Sequence, residues 1–97
     1  MKIDFDPVKD AINLAKHGVS LEAATGCDWS VAIAKPDQRS DYGEKRMIGY
    51  APIRNRLYCI VFVDRGGGRR VISLRKANSR EVRVYVQSSS ILEDSDT

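Results

Sequence analysis

The sequence predicts an α+β domain, with helices packed on a mostly antiparallel sheet. Three observations lead there. Apolar residues recur at helical spacing from Pro7 to about Gly26 and at a period of two from Trp29 onward. The most hydrophobic segment, LYCIVFV at 57–63, is apolar on both faces, as a central strand covered on each side must be. The last strand, VISLR at 71–75, is followed by Asn78-x-x-Glu81, which resembles a capping box and announces a closing helix.

In chain order, KIDF (2–5) alternates and reads as a short strand. Asp6-Pro7 is a helix cap followed by proline at the first helical position. Val8, Ala11, Ile12 and Ala15 form the apolar stripe of that helix, and Gly18 after His17 stops it. Ser20 caps a shorter second helix running to about Thr25 and ended by Gly26. WSVAIA (29–34) is expected to be a strand closed by Pro36-Asp37, PDQRSDYGE (36–44) a polar loop, and KRMIGYA (45–51) the next strand. Asn55, near Pro52, marks a turn into the central strand. The glycines at 66–68 lack the Lys-Ser/Thr of a phosphate-binding loop and read as a hairpin turn. The closing helix is expected to bury Val82, Tyr85 and Val86. Residues 1–87 make one domain, and the serine-rich acidic tail SSSILEDSDT (88–97) is expected to be disordered.

At 97 residues, 42% hydrophobic and 30% charged, the chain has the make-up of one small globular domain. The apolar run at 57–63 falls far short of the ~20 residues of a membrane span. The amino terminus, MKIDFDP, carries acids where a secretory signal needs an apolar stretch, so cytoplasmic residence is expected. Cys27 and Cys59 do not make a disulfide framework, and Cys59 reads as a buried free thiol. One histidine and two separated cysteines cannot supply the ordinary ligands of a zinc site, so neither metal nor other cofactor is expected.

Charge distribution is more informative than the net charge of +3. Between Lys35 and Arg83 there are 13 Lys and Arg against 5 Asp and Glu, the footprint of a polyanion binder. Within six positions the chain places Arg75, Lys76 and Arg80, with Glu81 and Tyr85 close behind. If Leu74 faces the core, Arg75 faces the open side of the sheet. Arg80 falls in the first helical turn, where backbone N–H groups and the macrodipole favour an anion. A phosphate there would meet two guanidinium forks. The competing expectation is that Arg75 and Arg80 pair with Glu81 and Glu44 at the surface, for less than about 1 kcal/mol each.

Glu44 and Arg46 are two apart, so in an extended strand they share a face, as a base-plus-clamp pair or as a neutral surface pair. Lys9 and Lys16 lie on the first helix; for His17, at its carboxyl end, a capping role outweighs a catalytic one. Trp29 reads as a core residue rather than a base-stacking platform.

Three segments, KHGVSLEAA (16–24), RSDYGEKR (39–46) and ISLRKANSREVRVY (72–85), resemble the BrnT family of type II toxins, a likeness running from about Lys2 to Tyr85. The resemblance implies a RelE-like fold and a ribonuclease that arrests bacterial growth. It also implies neutralisation by a BrnA-like ribbon-helix-helix antitoxin, which binds operator DNA and represses the operon. By match, Lys9, Glu44, Arg46 and Arg75 would be the catalytic residues. Arg80, Lys76, Tyr85 and Lys16 would contact RNA, Arg80 being added from its place at the helix start. TGCDWS departs from the family's Phe-x-Asp-Pro text after the second helix, and Val84 and Val86 stand where Arg or Lys is common. The expected chemistry is metal-independent attack by the substrate's 2′-hydroxyl on the adjacent phosphate. The alternatives are a non-catalytic basic module that binds nucleic acid, and an antitoxin-like protein-interaction domain.

Overall fold

The computed structural model describes residues 1–39, 41 and 43–95, with side chains through residue 88. The elements are β1 (Lys2–Asp4), α1 (Pro7–His17), two 3-10 segments (Leu21–Gly26 and Trp29–Val31), β2 (Ile33–Pro36), β3 (Met47–Ile53), β4 (Arg56–Arg65), β5 (Gly68–Lys76) and α2 (Ser79–Ser95). One five-stranded sheet has the order β1-β5-β4-β3-β2. Strands β2 to β5 are an antiparallel meander, and β1 joins β5 in parallel. The expected α+β class is therefore what forms. Of the tail at 88–97, residues 88–95 continue α2, while 96 and 97 lie outside the described residues, as does Tyr42 of the RSDYGEKR segment.

β4 is central, and Cys59 through Val63 are buried on both faces. On one face Ile60 and Phe62 join Leu74, Val71 and Ala51 under Leu21 and Ala24 of the first 3-10 segment. Phe62 occupies the space above β3 that a side chain at Gly49 would need: a Cβ there would lie 3.0 Å from the Phe62 ring. Gly66 and Gly67, at φ 51° and 83°, make the β4–β5 hairpin with the left-handed turn its strand twist favours.

Three sequence expectations are corrected. First, the stripe Val8, Ala11, Ile12 and Ala15 of α1 faces solvent, with Val8 66% and Ile12 60% exposed. The cause is the short β1, which pairs with β5 only as far as Arg70. Beyond it the Leu74 N–H and C=O need partners, because an unpaired buried backbone group is costly. Asn13 supplies both: its Oδ1 accepts from Leu74 N (3.1 Å) and its Nδ2 donates to Leu74 O (2.8 Å) and Val19 O (2.9 Å). Asp10, on the same side of the helix, accepts from Ser20 Oγ and Leu21 N. The polar edge of α1 is thereby turned to the sheet and its apolar stripe away.

Second, Trp29 opens a 3-10 turn and not a strand, so β2 begins at Ile33. Asp28 caps that turn by accepting from Ser30 N, and Trp29 turns inward, edge-on to Phe62 at 5.3 Å, with Nε1 donating to Ala24 O. The segment after Ser20 is likewise a 3-10 helix. Third, α2 does not bury Val82 and Val86, which are 38% and 54% exposed; Tyr85 is half-buried and donates to Val31 O. Helical spacing marks an apolar face, but the described fold brings no layer against this one.

Candidate functional site

The candidate site lies on the sheet face opposite the core. Strand register places Tyr50, Cys59 and Arg75 in one cross-strand row and Ile48, Val61 and Ser73 in the next. These rows floor a cavity of about 330 Å³. Its rim is Lys16 and His17 from the end of α1, Arg39 from the β2–β3 loop, and Glu81 from the first turn of α2. Arg75 thus reaches the open face, as the inward position of Leu74 requires.

Arg75 is held by a two-bond fork: Nη1 to Glu81 Oε1 and Nη2 to Glu81 Oε2, both 2.9 Å. Glu81 also closes the capping box, accepting from Asn78 N (2.9 Å) while its own N–H donates to Asn78 Oδ1 (2.8 Å). A fourth donor, Tyr50 OH, reaches Oε2 at 3.1 Å. The hydrogen bonds from Arg75, more than any other influence, hold the Glu81 carboxyl down at about 2, although burial pushes the other way. The same bonds push the Arg75 guanidinium up, against burial. Burial first, then the charges around it, raises the Tyr50 phenol above its ordinary value, so it remains a donor. The network fixes a cation at the cavity wall and leaves the Arg75 Nε–H outside those bonds.

A second cluster stands farther along the same face. Glu44 pairs with Arg65 and lies 4.0 Å from Arg46 Nε, and the charge of Lys9 also bears on it. The hydrogen bond from Arg65 is the main reason its carboxyl is held low. Glu44 and Arg46 do share a side, as their spacing requires. The four candidate catalytic residues therefore fall into two groups, Lys9 with Glu44 and Arg46, and Arg75 apart from them. Tyr50 and Arg46 are four residues apart on one chain, which at strand rise is about 13 Å.

The residues expected to grip RNA are also divided. Lys16 is on the cavity rim. Arg80 and Tyr85 line a neighbouring groove of about 400 Å³ between α2 and β2, with Lys35 opposite. Glu81 and Tyr50 form the wall common to both spaces. The two guanidinium forks expected to converge on one phosphate thus point into different grooves, and Arg75 is paired with Glu81. Lys76 is exposed and, by strand alternation, leaves the sheet opposite Arg75. Trp29 is on the core side, against Phe62, with the Arg69 guanidinium 4.6 Å from its ring centre.

The sequence does not single out Tyr50, Arg65 or Asn13. It offers Glu81 as a cap and, in the competing expectation, as an ion-pair partner of the Arg75 and Arg80 cations, which for Arg75 is the pair that forms. Tyr50 was readable by alternation with Ile48 on a strand whose other side is core. Arg65 and Asn13 carry no such signal, since their partners are 21 and 61 residues distant in sequence.

Residues 5–81 match the family described as ribonuclease toxin, BrnT, of type II toxin-antitoxin system. No curated protein sequence matches the chain. Among solved structures the fold is similar to the 1.1 Å crystal structure of the Brucella abortus ribonuclease toxin BrnT, at 25% sequence identity and a TM-score of 0.65, over 81% of this chain and 99% of that one. The family match begins just after β1 and runs to Glu81, taking in strands β2 to β5, both charged clusters and the clamp on Arg75. This chain belongs to the BrnT family of ribonuclease toxins of type II toxin-antitoxin systems.

Proposed function

We propose that the chain is an endoribonuclease that cuts RNA without a metal ion, by attack of the substrate's 2′-hydroxyl on the adjacent phosphate to leave a 2′,3′-cyclic phosphate. The observation that carries the reading is the cavity over Tyr50, Cys59 and Arg75, where three cations and a histidine surround a space about the size of a nucleotide. Arg75, held rigid by Glu81, is the clamp on the phosphate at the cleaved bond. A preplaced donor to the developing phosphorane contributes on the order of 3 kcal/mol. Lys9 and Arg46 grip the strand farther along, with Glu44 ordering Arg46 and Arg65. A carboxylate held low by a guanidinium is a weak base, so proton removal at Glu44 contributes little. Among the described residues no group of three His, Cys, Asp or Glu side chains gathers in a way that could hold a metal ion.

A type II toxin works with an antitoxin. We assign that partner to a small ribbon-helix-helix protein that also represses the operon. Growth arrest follows from cutting RNA in the cytoplasm. No helix among the described residues is long and apolar enough to cross a membrane.

The deciding experiment incubates the purified chain with end-labelled RNA in EDTA, with and without ribosomes. Cyclic-phosphate ends on the products, and no cleavage where a single 2′-deoxy residue replaces the attacking nucleotide, are expected. RNA that binds and stays whole under all conditions leaves only a nucleic-acid-binding module.

A further inference from the structure

The metal-free route needs a group that gives a proton to the departing 5′ oxygen, and the cavity contains one. We propose that His17 is that general acid, an assignment that rests on the endoribonuclease reading above. Its position follows from the helix beneath it. Asn13 is fixed to both backbone groups of Leu74, which sets the rotation of α1. His17 is four residues on, one turn along the same side. It is therefore delivered over Ser73 and Arg75, the neighbours of Leu74 that face the cavity.

The other groups facing that space are already committed or unsuited. From β5, Arg75 is tied to Glu81 and gives up no proton. From α2, the Glu81 carboxylate already accepts from Arg75, Asn78 N and Tyr50. From β3, the Tyr50 hydroxyl proton is spent on Glu81. From β4, the Cys59 thiol is buried at the floor. From the β2–β3 loop, the Arg39 guanidinium is bonded to Asp37. Lys16 and His17 make no hydrogen bond among the described side chains, and of the two imidazole is the side chain that most often serves as a general acid.

The step balances as follows. The 2′ oxygen forms a bond to phosphorus and its proton passes to solvent. The bond from phosphorus to the 5′ oxygen breaks, that oxygen takes the proton of the His17 imidazolium, and the imidazole regains one from water. Arg75 and Lys16 hold the phosphate meanwhile.

The test replaces the 5′ oxygen at a mapped cleavage site by sulfur, whose thiolate leaves without a proton. On ordinary RNA, His17→Gln should cut about 10²- to 10⁴-fold more slowly than wild type. On the sulfur-bridged RNA it should recover to within tenfold of wild type, whereas Arg75→Ala should be impaired on both. Thermal melting of His17→Gln and His17→Asn shows which variant is folded as wild type and carries the comparison. Equal loss on both substrates, or no loss on either, overturns the assignment while leaving the nuclease reading in place. If wild type cuts neither RNA, the nuclease reading falls and this assignment with it.

Discussion

Glu81 binds Arg75 through both carboxylate oxygens at 2.9 Å, and the same carboxylate caps the helix that follows. One residue thus couples the start of α2 to the open face of the sheet, and the like charges at the β5 exit are stabilised by it. Of the two readings open from sequence, a surface ion pair or an anion site, the geometry joins elements of each. Arg75 is paired, yet the pair forms part of a cavity wall.

Separating the two duties of Glu81 takes two variants. Asn78→Ala removes the Asn78 half of the capping box and should cost about 1 kcal/mol by urea unfolding, with cleavage nearly intact. Glu81→Ala removes the cap and the charged hydrogen bonds together, for about 2–4 kcal/mol. It should also slow cleavage at least tenfold, because Arg75 is then free to swing. Equal activity in the two variants would show that the fork has no part in the reaction.

The same clamp sets an acid limit. The Glu81 carboxyl is depressed from 4.5 to about 2, chiefly by Arg75. Above about 4.5 folded and unfolded states both carry the charge, and the stabilisation is complete. It declines as pH falls from there and is gone below about 2, where the folded state takes up its proton. The stability gap between wild type and Glu81→Gln, followed by denaturant titration, should therefore be flat from pH 7 to 5 and shrink towards pH 2. A gap that grows on acidification contradicts the depressed carboxyl.

Asn13 offers a sharper test of the fold. Replacing it with Leu leaves the Leu74 N–H and C=O buried without a partner, at about 1–3 kcal/mol for each group. We expect Asn13→Leu to lose about 2–5 kcal/mol. Cleavage should fall as well, since the rotation of α1 is no longer set. Asn13→Asp keeps the acceptor for Leu74 N–H and loses the donors, and should be destabilised too. A Leu variant as stable as wild type means that α1 is not hooked to β5.

Much of this architecture was legible in the residues. Asp6-Pro7 and Gly18 bracket α1, LYCIVFV is the central strand, and Asn78 with Glu81 forms the cap. All three are local signals, completed within a few positions of chain. What was not legible depends on distant partners. Periodicity locates a stripe on α1 without saying what meets it, and the unpaired edge of β5 overrides the stripe through one buried amide. The site was read in the same way. Arg75 was found by alternation beside Leu74, while its separation from Glu44 emerged only once strand register was known.

The exposed stripe on α1 yields the last prediction. On the sequence reading, Val8 and Ile12 would be core residues, and a charge at either would cost several kcal/mol. In the structure they are 66% and 60% exposed, where substitutions usually change stability by within about 0.5 kcal/mol. Val8→Lys and Ile12→Lys should therefore melt within 3 °C of wild type, a shift of that order corresponding to about 0.5 kcal/mol in a domain of this size. Both should keep wild-type cleavage, because neither side chain lines the cavity over Arg75. Loss of folding in Ile12→Lys alone would place that side of α1 against the sheet and displace the Asn13 hook.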